Sequence, residues 1–445
     1  VPQDRGVASI EEAALLDLLA ERAVVPVFQP IADAATGTVV GVEALARGPV
    51  GGPLERPDRM FAAARRSGRL AELDDLCRSR AVEVAADAGL TGPLGLFVNI
   101  EPPAAPVDLT PGPATAALLA RGVRIVVELT ERDLAADPAR LLAFAEQARA
   151  HGLRIALDDV GAAPASLALM PFLRPEIVKL DLSLVQGRDP RRVAEIMSAV
   201  AAYAEQSEAV VLAEGVETPE HLVTARGLGA TLVQGWHVGL PAAADHLAGL
   251  AAPFCPPVLR RPVVEAVARS PFATVARVRT PRRASKALLV AVSRHLERQA
   301  AAQGELAVVL AAYEDAVNLT PASRRRYRTL AGTAAFVGVL GRGIGDEPEP
   351  AVRGADLLPD DPVHGEWDVV VVGPHFAAAL VAKDLEPDAD PGDPTREFDH
   401  VLTHDRALVL EVARSLMARV VPRPAADASG GSSSSPVRVG SGVRP

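Results

Sequence analysis

The sequence predicts an α/β chain, a (β/α)8 TIM-like barrel with one antiparallel strand, followed by a second, smaller α/β or α+β domain. Three observations carry this expectation. Short β-rich apolar runs alternate with Ala/Leu/Arg-rich helical stretches from residue 24 to about 241, the alternation that builds parallel sheets. The runs number eight over roughly 220 residues, the strand count and length of one closed barrel. Only DAATGT separates the first two runs, too short for a crossover helix, so these two strands must pair as a hairpin and one of them runs in reverse.

In order, the strand-like runs are VVPVFQPI (24–31), VVGVEALA (39–46), LGLFVNI (94–100), VRIVVELT (123–130), LRIALDDV (153–160), EIVKLDLSLV (176–185), AVVLAEGV (209–216) and ATLVQGWHV (230–238). Amphipathic stretches such as DPARLLAFAEQARAHG (137–152) and DPRRVAEIMSAVAAYAEQS (189–207) lie between them. Asp137 and Asp189 each precede a proline and read as helix starts, because proline suits the first helical turn. The barrel is assigned to residues 1–252 and the second unit to 256–421. In that unit ASKALLVAVSRHLERQAAAQ reads as an amphipathic helix, AAFVGVLG and WDVVVVGP as strands, and RALVLEVARSLMARV as a terminal helix. Residues 422–445 are rich in Pro, Gly and Ser without apolar period, and are expected to be disordered.

Composition narrows the function. Apolar residues make up 49% of the 445 and charged residues 23%, as in an ordinary globular protein. A net charge of −10 argues against a binder of nucleic acid polymers. The two cysteines, Cys77 and Cys255, are too far apart in sequence for a C-x-x-C site, and a reducing compartment fits them. No apolar run reaches the ~18 residues of a membrane span, and the first residues do not read as a signal peptide, so a cytoplasmic location without membrane contact is expected.

Acidic or amide residues fall at the C-terminal ends of nearly all the parallel strands: Asn99, Glu128, Asp158 with Asp159, Asp181, Glu214 and Gln234. In a barrel those ends converge on one face, where active sites are built. Carboxylates at that density repel one another unless cations neutralise them. Oxygen donors suit Mg²⁺ or Mn²⁺, and no set of thiolates or histidines competes for a softer metal. Two such ions about 3.5–4 Å apart are a usual device for phosphodiester cleavage, and Asp158–Asp159 could bridge them. Lys179, two residues before Asp181, points to the same side of its strand and could orient water or neutralise phosphate charge. Arg47, four residues after Glu43, is a candidate phosphate clamp.

The ordered segments VFQPI, TGTVVGVEALAR, FVNI, VVELTE, ALDDVG, IVKLDLSLV, LAEGVET and LVQGWHVGLP resemble an EAL domain over residues 22–241. The resemblance implies a phosphodiesterase that opens cyclic di-GMP to linear pGpG with two Mg²⁺ or Mn²⁺ ions, working as a homodimer through the barrel. By motif it implies Glu43, Asn99, Glu128 and Asp158 as metal ligands, with Asp159 as the shared or second-metal ligand. It places Lys179 at the nucleophilic water and Glu214 near metal-bound water, with Asp181, Glu217 and Gln234 in support. Glu131 matches the second acid of ELTE and anchors the loop after the fifth strand, while Gln29 and Arg47 lie beside the nucleotide. One segment departs from the pattern. Where the family reads DDFGTG followed by Y-S-S-L, this chain reads DDVGAAPASL, so Val160 replaces an aromatic, Ala162 a hydroxyl residue and Ala163 a glycine, with Pro164 stiffening the segment. A receptor that binds cyclic di-GMP without hydrolysis is therefore the alternative.

The C-terminal segments SPFATVARV, ASKALLVAVSRHLE, RRRYRTLA, EWDVVVVGPHFAAALVAKDL and REFDHVLTHDRALV resemble a DICT domain, which implies signal input and not catalysis. His375, His400 and His404 read as surface or hydrogen-bonded residues, Arg324–Arg325–Arg326 as a solvated helix face, and Trp367 as a core residue.

Overall fold

The computed structural model describes residues 2–105, 109–130, 135–162, 164–187, 189–250 and 270–420. Eight strands close a barrel in sequence order: β1 (Val25–Asp33), β2 (Val39–Arg47), β3 (Gly95–Ile100), β4 (Arg124–Leu129), β5 (Arg154–Val160), β6 (Ile177–Leu180), β7 (Val210–Ala213) and β8 (Leu232–Gln234). β1 runs antiparallel to both neighbours, β2 and β8, and every other pairing is parallel. The short DAATGT link thus has the effect expected of it. Asp137 and Asp189 also behave as read: each side chain caps its helix, accepting from Arg140 N at 3.1 Å and from Arg191 N and Arg192 N at 3.2 Å.

Inward-facing apolar residues from all eight strands plug the barrel: Ile31, Val40, Phe97, Val126, Ala156, Ile177, Leu212 and Leu232, each at most 7% exposed. This plug fixes where the polar groups go. Strand side chains repeat with a period of two, so the residue two positions beyond a plug residue stands above it in the same lumen. Those residues are Asn99, Glu128, Asp158, Lys179, Glu214 and Gln234. On the reversed β1 the order inverts, and Gln29 precedes Ile31 by two.

The C-terminal unit is a seven-stranded mixed sheet of β9 (Arg282–Ser285), β10 (Val308–Asp315), β11 (Phe336–Arg342), β12 (Arg353–Asp356), β13 (Glu366–Val372), β14 (Ala377–Asp384) and β15 (Glu397–Thr403), in the order β12-β11-β10-β13-β14-β15-β9. The helix Lys286–Gln303, the strands β11 and β13, and the terminal helix Arg406–Met417 fall where the sequence placed them. Among the strands it did not reveal are β10 and β14. Both are rich in alanine, a strong helix former, and burial on both faces overrides that preference.

Alternation sorts the sheet into two cores. Val309, Ala311, Val369, Val371 and Leu380 lie under Leu289 and Leu296 of the helix Lys286–Gln303. Val308, Leu310, Val370, Val372 and Val381 face Val409, Val412 and Leu416 of the terminal helix, in a core continuous with the outer layer of the barrel. Polar contacts join the two units on that side. Arg414 donates to Glu146 Oε1 at 2.7 Å and to the Phe172 carbonyl, and Arg353 donates to the carbonyls of Ala135 and Ala136 at 2.7 and 3.0 Å. His375 Nε2 lies 3.2 Å from Ser198 Oγ, and His404 Nδ1 3.2 Å from the Ala377 carbonyl. The assigned boundary at 252–256 and the tail at 422–445 lie outside the described residues.

Candidate functional site

At the C-terminal mouth of the barrel the ammonium of Lys179, wholly buried, sits in a ring of carboxylates. Its Nζ lies 2.6 Å from Glu128 Oε1, 2.7 Å from Glu214 Oε1, 2.9 Å from Asp158 Oδ1 and 3.6 Å from Glu43 Oε2. Glu43 is held on its other sides by Asn99, whose Nδ2 donates to Oε1 at 2.9 Å, and by Gln234, whose Nε2 donates to Oε2 at 2.6 Å. Gln234 Nε2 also lies 3.3 Å from Gln29 Oε1, and Gln29 in turn donates to the Gly239 carbonyl at 3.1 Å. Register explains these meetings, since Gln29 pairs with Glu43 and Asn99 with Glu128 across adjacent strands.

The electrostatics are those of a site short of cations. Burial pushes the Glu128 carboxyl well above its ordinary range, and the neighbouring Glu43 charge adds to the rise. Burial likewise pushes Glu214 up to about 8. Burial works the same way on Glu43, but the Lys179 ammonium and the donors from Asn99 and Gln234 outweigh it and hold this carboxyl below its usual value. Desolvation alone would neutralise Lys179, yet Asp158, Glu128, Glu214 and Glu43 raise it well above an ordinary lysine. One ammonium faces four acids. Glu128 Oε2 and Gln234 Oε1 are buried without a hydrogen-bond donor among the described residues. A buried acceptor left unfilled is costly, and a cation with several oxygen ligands is what would fill this set.

Asp158 and Asp159 are neighbours that a regular strand would point to opposite faces. β5 is irregular here: its register with β6 shifts between Leu157 and Val160, and Asp159 takes a left-handed φ of +54°. Such a backbone costs a non-glycine residue ~1–3 kcal/mol. The bulge turns both carboxylates the same way, so that oxygens of Asp158, Asp159 and Glu214 come within 4.8 Å of one another, close enough to share a metal ion.

The other residues named from sequence lie farther out. Asp181 follows β6 and caps the helix Leu182–Gln186, accepting from Ser183 N at 2.9 Å, a local role in which one oxygen is engaged. Glu217 is exposed before the helix Pro219–Gly227, its N–H directed at His221 Nδ1 3.3 Å away. Glu131 lies outside the described residues, as does Ala163. Arg47 donates to the Ala46 carbonyl at 2.8 Å and lines a cavity of about 170 Å³ that also includes Asn99, next to the ring. The same cavity exposes Asp74 and Arg78, paired at 2.5 Å, with Asp74 only 2% exposed and pushed up to about 6 by burial. These two sit on the helix Leu70–Asp87, where no strand period marks them, and sequence reasoning missed them.

A closed barrel with one reversed strand and a ring of buried acids around its C-terminal mouth defines the class, a TIM-like barrel with an acidic mouth. Within that class the chain belongs to the EAL family. A family model of the EAL domain matches residues 12–241, and one of the DICT domain, described as a sensory domain in diguanylate cyclases and two-component systems, matches residues 270–385. An uncharacterized signaling protein of Caulobacter vibrioides is 33% identical over 52% of this chain and 29% of its own length. The cyclic di-GMP phosphodiesterase NbdA of Pseudomonas aeruginosa is 32% identical over 48% of this chain and 28% of its own. The probable cyclic di-GMP phosphodiesterase PdeB of Escherichia coli is 30% identical over 50% and 43%. The chain thus spans less than half the length of these relatives. Among solved structures, the PaMucR phosphodiesterase in complex with c-di-GMP is 28% identical, with a TM-score of 0.44 over 52% of this chain and 99% of that one. Klebsiella pneumoniae BlrP1 in a manganese/cyclic di-GMP complex is 28% identical, with a TM-score of 0.43 over 49% and 56%. Among the described residues, no helix is long and apolar enough to cross a membrane.

Proposed function

We propose that the barrel hydrolyses cyclic di-GMP to linear pGpG with the help of divalent cations, Mg²⁺ or Mn²⁺, and that the C-terminal domain modulates the rate. The observation that carries this reading is the single ammonium of Lys179 within 3.6 Å of four acids, fewer positive charges than the ring has carboxyl groups. Glu43, Asn99, Glu128 and Asp158 would hold one cation, with Asp159 shared with a second. Bound there, the cations would supply Lewis acidity to the phosphoryl oxygens and to the attacking water.

The chain's own groups do the rest. Lys179 is anchored from several sides, so it can hold a water or a developing phosphate charge without reorganising. Glu214 borders the Asp158–Asp159 pair and can orient the same water. Asn99 and Gln234 hold Glu43 in place, with Gln29 accepting from Gln234, and Arg47 stands at the adjoining cavity, where a guanidinium can meet a phosphate. Asp181 and Glu217 would act from the edge.

Modulation has a physical route. The helix Pro164–Leu173 comes after the Asp158–Ala162 turn, and Arg414 of the C-terminal domain grips its end at Phe172. Homodimerisation through the barrel is a separate proposal, tested by sedimentation of the full chain.

One observation favours the second reading, a receptor without turnover. The turn after Asp159 carries Val160 and Ala162, and so lacks the aromatic and hydroxyl groups expected there. Chromatographic assay for pGpG with Mg²⁺ or Mn²⁺, beside Lys179→Ala and Glu214→Ala, separates the two. Product that disappears in both variants supports the enzyme. Tight calorimetric binding of cyclic di-GMP without product supports the receptor.

A further inference from the structure

A cavity of about 430 Å³ lies on the far face of the C-terminal sheet from the barrel. It opens between the helices Lys286–Gln303 and Pro321–Ala331 and the sheet beneath them. That volume is in the range of small-molecule sites. Its walls include Trp367 and Phe398, whose rings meet edge to face with centroids 5.7 Å apart. The guanidinium of Arg396, a residue 3% exposed, lies 5.4 Å from the Phe398 ring centre.

The lining is unbalanced in one direction. Its acids are engaged: Glu297 receives Arg326 at 2.6 Å, Asp390 receives Gly392 N at 2.8 Å, and Glu314 receives Asn318 at 3.2 Å while facing Arg396 at 3.5 Å. Its donors are not. Among the described residues Ser293 Oγ, Trp367 Nε1 and Arg396 Nε are buried without a partner, the one unfilled acceptor on the wall being Glu314 Oε1. Trp367 Nε1 and Arg396 Nε can only donate. At the rim, exposed Arg294 forms no ion pair among the described residues. Lys286 nearby is depressed below an ordinary lysine, by burial first and then by the Arg396 charge, a strain that a bound negative charge would relieve.

We propose that this cavity binds a small organic anion built on a flat ring, the ring lying against Trp367 and Phe398 and its acceptor oxygens filling the unpartnered donors of Ser293, Trp367 and Arg396. Arg294 and Lys286 draw the anion in. Water alone would fill a polar cavity too, but it brings as many donors as acceptors and has no ring to lie against Trp367 and Phe398. The binding does not require the barrel to turn over cyclic di-GMP, so the two readings fail separately.

The test uses the full chain and an aromatic sulfonate, anilinonaphthalene sulfonate, as probe. The chain has two tryptophans, and Trp236→Phe leaves Trp367 as the only energy donor to the bound dye. Saturable binding of one dye per chain is expected, with energy transfer from Trp367. Ser293→Leu, which fills the cavity, and Arg294→Glu, which reverses the rim charge, should each weaken binding at least about tenfold while circular dichroism stays unchanged. The uncharged analogue N-phenylnaphthylamine should bind at least about tenfold more weakly than the sulfonate. The proposal is overturned by absence of saturable binding, by affinity that both variants leave unchanged, or by equal affinity for the uncharged ring.

Discussion

Two polar sites of this chain bury charge in opposite senses. In the barrel, four acids crowd one ammonium, and what remains unfilled is mostly acceptors. In the C-terminal domain each lining acid has found a partner, and what remains is mostly donors. A buried group without a partner is expensive, so each surplus reports the sign of what it awaits. On that sign rest the two proposals, divalent cations for the barrel and an organic anion for the C-terminal domain.

Removing the ammonium at the centre of the ring should have the largest effect. Lys179→Met leaves Glu43, Glu128, Asp158 and Glu214 without a counter-charge, and breaking a buried ion pair costs ~3–5 kcal/mol. The melting temperature in chelator should fall steeply, and Mg²⁺ or Mn²⁺ should restore part of the loss, while pGpG formation should drop ~10²–10⁴-fold. A melting temperature indifferent to divalent cations in this variant would break the comparison at its first term.

The opposite substitution sharpens it. Glu128→Gln removes an acid that burial already drives toward its neutral form, so in chelator the variant should be more stable than the parent by ~1 kcal/mol. The same change should weaken divalent-cation binding at least about tenfold, read by calorimetry. Stability that falls in chelator would mean that the acids of the ring are not in excess.

The same contrast explains how much was legible in the sequence. Most of the ring lies on strands where the polar residue stands two positions beyond a plug residue, as Val126 and Glu128 or Ile177 and Lys179 do, so a period of two exposes it, whereas Glu43 stands three beyond Val40. What the strand period could not supply was the bulge at Asp159, which depends on register with β6. The C-terminal cavity was hidden altogether. Ser293 sits on a helix, Trp367 on β13 and Arg396 before β15, and only the fold brings them together. Trp367 packs against the core and on Phe398, as expected, and its unpartnered N–H also walls the cavity. The helix face of Arg324, Arg325 and Arg326 is solvated only in part: Arg325 is exposed, while Arg326 holds Glu297 at 2.6 Å and Arg324 donates to the Pro348 carbonyl at 2.9 Å.

A smaller effect tests the geometry that turns Asp158 and Asp159 to one side. Asp159→Gly relieves the left-handed backbone and should stabilise the cation-free chain by ~1 kcal/mol, while still losing turnover because the carboxylate is gone. Denaturant titration in chelator reads the first and pGpG formation the second. A destabilised glycine variant would show that the Asp159 carboxylate, and not the barrel around it, holds the turn.

The smallest effect concerns pH in the second cavity. Glu314 is pushed up to about 7, by burial first and then by the Asp384 carboxylate beside it, with Arg396 pulling the other way and Lys286 the next cation along the wall. Below that value Glu314 carries a proton, the wall loses a negative charge and gains a donor, and an anion is bound more tightly. Affinity for the aromatic sulfonate, which does not titrate, should therefore rise about threefold to tenfold as pH falls from 8 to 6. The same sign governs folding: with its folded value above its unfolded one, Glu314 contributes stability that is complete below the ordinary carboxyl range and is lost as pH rises through about 7. Glu314→Gln should flatten the pH dependence of binding at the tighter, low-pH level. A dependence that survives this change, or one that runs the other way, would mean that Glu314 does not face the bound anion and that the surplus of donors is filled by water.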